Sequence, residues 1–169
     1  MMTLTEAEYT IGRAIVNGLS GAEFLETLGP ENVRRACNGI GPDRWPEARR
    51  EKFNKWLWLF ADPAAGHDCR FTFDNDGSEA KFRAANDELE RNCLIVADAT
   101  YRWYNPLRYL ARRKGRLMAQ ACRDFGWRAW RAAYEKKQRK DNNDEKTVLK
   151  HPADCPFSTP DDPDSMCCR

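Results

Sequence analysis

Apolar residues recur along most of the chain at spacings of three and four, the period of an α-helix that buries one face. Alternation of the kind that strands require is confined to the short run at 69–73. Glycine, proline and asparagine interrupt the helical pattern at short intervals and divide it into separate elements. We therefore predict an all-α fold. The predicted helices cover residues 5–19, 21–29, 30–37, 45–60, 63–73, 78–103 and 106–140.

Residues that can cap a helix stand at the start of several of these segments. Thr5, Asp62 and Ser78 each precede a periodic run and are predicted N-caps, because a side-chain oxygen there can accept a hydrogen bond from a first-turn backbone N–H. Asn105 and Pro106 open the last helix, since proline suits the first helical position.

The two longest helices carry apolar stripes, each of which is predicted to face the core. In helix 78–103 the stripe consists of Phe82, Ala85, Leu89, Cys93 and Val96. In helix 106–140 the stripe includes Leu107, Leu110, Leu117, Ala121 and Phe125.

The composition changes after Lys140, where polar residues and prolines become frequent. We predict a single helical domain at 1–140 and a mostly irregular tail at 141–169. The aromatic residues of the run at 56–60 are predicted to lie in the core of this domain. These residues are Trp56, Trp58 and Phe60.

Positive charge is concentrated in residues 102–140, which contain 13 Lys and Arg against 2 Asp and Glu. One interpretation is a helix that buries one face and exposes its cations. A second is attraction to anionic lipid headgroups, with Trp127, Trp130 and Tyr134 at headgroup depth. A third is binding to the phosphates of a nucleic acid. The residues alone leave these interpretations open.

The longest apolar run is far shorter than a membrane span needs, and the N-terminal residues do not form a signal peptide. We therefore predict cytoplasmic synthesis. The seven cysteines, an odd number, are predicted to be mostly reduced thiols. Of these, Cys69 and Cys93 are interpreted as buried packing residues.

The segment "DPAAGHDCRF" at 62–71 places an acid directly after one of the two histidines of the chain. On a helix, His67 and Asp68 point about 100° apart, so they would serve two neighbouring centres rather than pair with each other. A histidine suits general base chemistry near neutral pH, and a carboxylate suits calcium. The glycine-rich loop "NGIGP" at 38–42 could add backbone carbonyls, which are also calcium ligands.

Together these motifs resemble the phospholipase A2 superfamily, in particular its compact bacterial, fungal and phage-borne members. The loop "NGIGP" matches the calcium loop of the family, with Ile40 in place of a cysteine. The segment "AAGHDCRF" matches the histidine helix, with Ala64 in place of a cysteine and Phe71 in place of a tyrosine. The segment "FRAANDELERNC" resembles the following antiparallel helix. The resemblance covers roughly residues 36–97.

The resemblance implies a calcium loop followed by two antiparallel catalytic helices. It implies Ca²⁺ bound by Asp68 and by the backbone carbonyls of Asn38, Gly39 and Gly41. His67 would be the general base that activates water against the sn-2 ester of a phospholipid. A residue of the second helix would orient the imidazole, and counting back three positions from Leu89 gives Asn86, with Asp87 next to it.

Two functions follow as expectations. The first is a calcium-dependent phospholipase A2-like hydrolase that acts on a phospholipid membrane surface, attracted to anionic headgroups by the 102–140 helix. By analogy with such relatives, this protein would be exported by a route that needs no signal peptide. The second is a catalytically inactive helical binding protein that uses the basic 102–140 helix on nucleic acid or a protein partner.

Overall fold

The computed structural model of the chain describes residues 2–37 and 46–148, and the described residues are helical with no strand. The prediction of an all-α protein is therefore confirmed for this part of the chain. The helices are α1 (Leu4–Val16), α2 (Ala22–Ala36), α3 (Glu47–Trp56), α4 (Ala61–Phe73), α5 (Glu79–Thr100), α6 (Pro106–Phe125) and α7 (Trp127–Val148), with a 3₁₀ turn at Trp58–Phe60 between α3 and α4.

The chain divides into two compact units, residues 1–134 and 135–169. The candidate site lies in the first unit, as do the surfaces around it. Helix α7 continues to Val148, so residues 141–148, the first part of the predicted mostly irregular tail, are helical. Residues 149–169, which make up the rest of the predicted tail, lie outside the described residues. Within the described residues, no helix has the length and apolar character needed to cross a bilayer.

The helix starts follow local capping chemistry. Helix α1 is capped by Thr3 rather than by the predicted Thr5, because Thr3 and Glu6 form a reciprocal capping box. Ser78 caps α5 as predicted, and its side chain accepts a hydrogen bond from the backbone N–H of Lys81. Asn105 caps α6 in the same way.

Helix α4 begins earlier than the sequence predicts. It starts at Ala61 directly after the 3₁₀ turn, and Phe60 occupies the capping position that we assigned to Asp62. The Asp62 carboxylate instead accepts two hydrogen bonds from the Arg13 guanidinium of α1, at 2.7 and 2.8 Å. Since this ion pair spans two helices, Asp62 ties α4 to α1.

Helix α2 contains the break that was predicted between two separate helices. Gly29 has a φ of 73°, in the left-handed region, and Pro30 follows it. The chain resumes the helical conformation at once, so the two predicted helices form one kinked element that ends at Ala36.

Helices α4 and α5 are joined by the turn at 74–78 and run antiparallel, because the pairs His67–Asn86 and Phe71–Phe82 advance in opposite directions along them. The predicted apolar stripe of α5 is confirmed as core, since all five of its members are between 0 and 8% exposed. Cys69 of α4 is also fully buried, as predicted.

The predicted continuous helix at 106–140 is wrong, because the chain breaks at Gly126 into α6 and α7. The buried face of α6 also differs from the predicted stripe. The residues that α6 buries are small or flexible, and they are Ala111, Gly115, Met118 and Ala119. A Cβ added at Gly115 would lie 2.6 Å from the Cβ of Cys93, so α5 and α6 approach closely at this point. The predicted leucines face away from α5.

Several aromatic residues also lie in other places than predicted. Phe60 is fully buried, as expected, but Trp56 is 53% exposed and Trp58 is 65% exposed. Trp130, which one interpretation placed at a membrane surface, is fully buried. It packs against the rings of Phe71 and Phe82, with centroids 4.7 and 5.9 Å away.

Candidate functional site

The fold brings His67 of α4 against Asn86 of α5. The Nε2 atom of His67 lies 3.1 Å from the Oδ1 atom of Asn86. Asn86 is completely buried, and its Nδ2 group donates a second hydrogen bond of 2.7 Å to the backbone carbonyl of Phe82, one helical turn earlier. This second bond fixes the orientation of the amide, so that its oxygen faces the imidazole.

The orientation of Asn86 selects one tautomer of His67. Because Oδ1 can only accept a hydrogen bond, Nε2 of the imidazole carries the proton and donates it. The other nitrogen, Nδ1, then keeps its lone pair. The geometry therefore presents a neutral imidazole whose Nδ1 can accept a proton from another molecule.

The surroundings of His67 favour this neutral form. Desolvation of the half-buried ring lowers the pKa of His67 to about 4, and the hydrogen bond with Asn86 opposes only part of that effect. The ring of Phe71, one turn further along α4, lies 4.6 Å from the imidazole between centroids. Phe71 is held in turn by the buried Trp130, at an interplanar angle of 83°.

Asp87, the alternative partner for His67, bonds to Arg123 of α6 instead. Its carboxylate accepts a hydrogen bond of 2.7 Å from Arg123 of α6, and its side chain is 59% exposed. The structure thus brings His67 together with Asn86 and not with Asp87. The residue that contacts the imidazole is an amide, which supplies orientation without a negative charge.

Asp68 lies next to His67 on α4 and is half-buried. Its backbone carbonyl accepts a hydrogen bond from Thr72. The other predicted calcium ligands, Asn38, Gly39 and Gly41, lie outside the described residues. Among the described residues, those around Asp68 included, no three His, Cys, Asp or Glu side chains group so as to hold a metal ion.

The position of Cys37 links the predicted loop to α4. This residue, the last one described before the gap at 38–45, is buried, and its thiol lies 3.8 Å from the carbonyl oxygen of Ala65. A hydrogen bond with Cys69 and burial together raise the pKa of the Cys37 thiol, which is free. Ala65 and Cys69 flank the His67–Asp68 pair in sequence, so Cys37 contacts the part of α4 that carries this pair. A carboxylate with nearby backbone carbonyls is a donor set of the kind that calcium prefers.

A charged network that the sequence did not reveal supports this part of α4. Arg70 binds both carboxylate oxygens of Glu88 on α5, at 3.2 and 2.9 Å, and also Asp74 at 3.2 Å. Its guanidinium stacks over the ring of Phe24 on α2, 4.1 Å from the centroid. The network therefore fixes α4 to both α2 and α5, one turn after His67. No spacing motif marks it, because its members come from three helices.

Most of the cations of α6 are paired with carboxylates of α5. Asp98 accepts hydrogen bonds from Arg108 and Arg112, at 2.7 and 2.5 Å, and these partners lower its pKa to about 2. Arg123 bonds to Glu90 at 2.7 Å as well as to Asp87, and Arg116 lies 3.8 Å from Glu90. The positive charge of residues 106–125 is therefore largely compensated within the fold.

Comparisons with known proteins give no relative: no family model, no curated protein and no solved structure matches this chain.

Proposed function

We propose that the chain is a calcium-dependent, phospholipase A2-like hydrolase that cleaves the sn-2 ester of phospholipids. The observation that carries the proposal is the bond from His67 to the buried Asn86, which leaves Nδ1 of a neutral imidazole as a proton acceptor. A general base needs this form at neutral pH. The adjacent carboxylate of Asp68, on the helix that Cys37 contacts, supports a cation site next to that base.

In this mechanism His67 accepts a proton at Nδ1 from a water molecule, which attacks the ester carbonyl carbon. Asn86 holds the imidazole by accepting the hydrogen bond of Nε2, and Phe71 restricts the rotation of the ring from one side. Asp68 and the carbonyls of Asn38, Gly39 and Gly41 would hold the metal. Calcium bound there would polarise the carbonyl and stabilise its developing negative charge. His67 later returns its proton to the leaving alcohol.

The alternative, a catalytically inactive protein that binds nucleic acid or a protein through the basic 102–140 segment, has less support. A binding surface of this kind needs accessible cations, and four of the 13 cations of this segment, Arg108, Arg112, Arg116 and Arg123, engage carboxylates of α5. The same pairing weakens the attraction of anionic headgroups by α6 through charge alone.

Fatty-acid release from anionic phospholipid vesicles, with calcium and with a chelator, tests the proposal. We expect release from the wild-type protein only with calcium, and a loss of about a hundredfold or more in His67→Gln. Asp87→Asn is the matched control, because Asp87 is close to Asn86 in sequence but exposed and bound to Arg123. Release that persists in His67→Gln or in the chelator would contradict the mechanism, and so would no release from folded wild-type protein.

A further inference from the structure

Helix α6 has three faces, which follow from its period of about 100° per residue. The residues that contact the core occupy one sector, and the arginines that pair with α5 border this sector on one side. Three leucines and Lys114 occupy a sector of about 80° on the other side. These leucines, Leu107, Leu110 and Leu117, are called the leucine row.

The leucine row is open to solvent in the first unit. Leu107, Leu110 and Leu117 are 51, 55 and 57% exposed. A single exposed leucine is unremarkable, but three at spacings of three and seven form an apolar stripe along one helix, which only Lys114 interrupts between Leu110 and Leu117. The stripe has no partner in α5, since α6 buries a different face there.

Exposed tryptophans at the end of α3 adjoin the row at Lys114. Lys114 lies within the row, and its ammonium group sits over the ring of Trp56, 4.3 Å from the centroid, and bonds to the carbonyl of Trp56. Trp58 follows after one residue and is more exposed than Trp56. Trp103, 81% exposed, lines a separate groove with Arg108 and Arg112, on the side of α6 that carries the arginines. Tryptophan rings and leucines with cations around them are typical of surfaces that enter the headgroup region of a bilayer.

The charges that surround this surface are mainly positive. Arg49 and Lys52 line an open groove of about 370 Å³ with Phe53 and Trp56. In α6 the only carboxylate is Asp124, at the end of the helix away from Trp103, where it bonds to Gln120. Such a surface complements an anionic bilayer, whereas a second copy of the chain would bring Lys114 against the same cations.

We propose that the leucine row, with Trp56 and Trp58, is a docking face for anionic lipid bilayers. The choice of lipid as the partner rests on the proposed function as well as on this charge pattern. Binding depends on insertion of leucine and tryptophan side chains, and not on the arginines of α6, which are engaged by α5.

Sedimentation with vesicles of ether-linked phosphatidylglycerol and phosphatidylcholine, in the presence of a chelator, tests this face apart from hydrolysis. We expect the wild-type protein to bind and the double variant Leu110→Gln, Leu117→Gln to bind at least about tenfold more weakly. The control Ile15→Gln, Val16→Gln removes two apolar side chains, 47 and 86% exposed, from α1 and should bind like the wild type. Circular dichroism checks that each variant is folded.

Three results would overturn the proposal that the leucine row docks on lipid bilayers. One is a wild-type protein that does not bind these vesicles, and another is equal binding by the leucine double variant. The third is a wild-type dimer that the same variant converts to a monomer, without vesicle binding, since the leucine row would then join two copies. Calcium-dependent release from a dispersed short-chain phospholipid, measured on the same preparations, separates this failure from a failure of the proposed hydrolysis.

Discussion

Acidification should destabilise the protein through His67, because folding lowers the pKa of its imidazole. Its pKa falls from an ordinary value of 6.5 to about 4 in the folded protein, mainly through desolvation. Between these values the unfolded chain binds a proton at His67 that the folded protein does not bind. The free energy of unfolding therefore decreases as the pH falls from about 6.5 to about 4.

The size of this effect follows from the pKa difference. One pKa unit corresponds to about 1.4 kcal/mol, so His67 should reduce the free energy of unfolding by about 2 kcal/mol at about pH 5 and about 3 kcal/mol at about pH 4. Above about pH 7 the contribution vanishes, because the imidazole is neutral in both states.

Urea unfolding of the wild type and of His67→Gln, followed by circular dichroism in chelator, measures this contribution. Carboxylates titrate in the same range, but they contribute to both proteins, so the difference between the two curves isolates His67. We expect the stability of the wild type relative to the variant to fall by about 2 kcal/mol between about pH 7.5 and about pH 5.

If the stability difference between the wild type and His67→Gln stays constant over this pH range, the imidazole is not desolvated in the folded protein and the reasoning is refuted. Nuclear magnetic resonance gives a direct check, because the chain has only two histidines and the variant identifies the signal of His67. An imidazole that titrates near its ordinary pKa would contradict the geometry around Asn86.

Two further substitutions test the packing and the charged network that position the site. Gly115→Ala should destabilise the fold by about 1–2 kcal/mol in urea unfolding, because its Cβ would lie 2.6 Å from the Cβ of Cys93. The control Gly12→Ala on α1, where the added Cβ would have no atom within 4 Å, should stabilise the fold by about 0.5–1 kcal/mol. Equal effects of the two substitutions would contradict the close approach of α5 and α6. Glu88→Gln should lower the thermal stability by about 1–2 kcal/mol, because it weakens a partly buried ion pair with Arg70. The control Glu79→Gln, which weakens an exposed ion pair with Arg83, should cost under about 0.5 kcal/mol. Equal losses would show that the network around Arg70 does not stabilise the fold.

The elements that the sequence predicts well are those in which one local signal dominates. Helix α5 has one apolar face and no competing one, so the spacing of its apolar residues identifies the residues that are buried. Asn105 precedes its helix without a rival cap nearby, and Ser78 is the last of several capping residues before the apolar period of α5 begins. At α1, by contrast, Thr3 and Thr5 are both available and each has a glutamate three residues later, Glu6 and Glu8, so the sequence alone does not choose between the two caps.

The contact between His67 and Asn86 is predicted for a different reason. The resemblance to the phospholipase A2 superfamily implies a residue of the second helix, three positions before a buried apolar one, that orients the imidazole, and this count from Leu89 gives Asn86 with Asp87 next to it. The contacts of Phe71 with Trp130 and of Arg70 with Glu88 are not accessible in this way. They depend on how separate helices cross, and no periodicity within one helix determines that.

The spacing of hydrophobic residues alone predicts the wrong buried face for helix α6. Its leucines form the more apolar stripe, so a pattern based on side-chain hydrophobicity predicts that they are buried. The helix instead buries the stripe that contains Gly115, because a residue without a Cβ lets the backbone of α6 approach Cys93 closely. That approach also brings Arg108 and Arg112 within hydrogen-bonding distance of Asp98. Close packing and ion pairing with α5 thus decide the orientation of the helix, and the leucine row is left as an exposed face for another surface to cover.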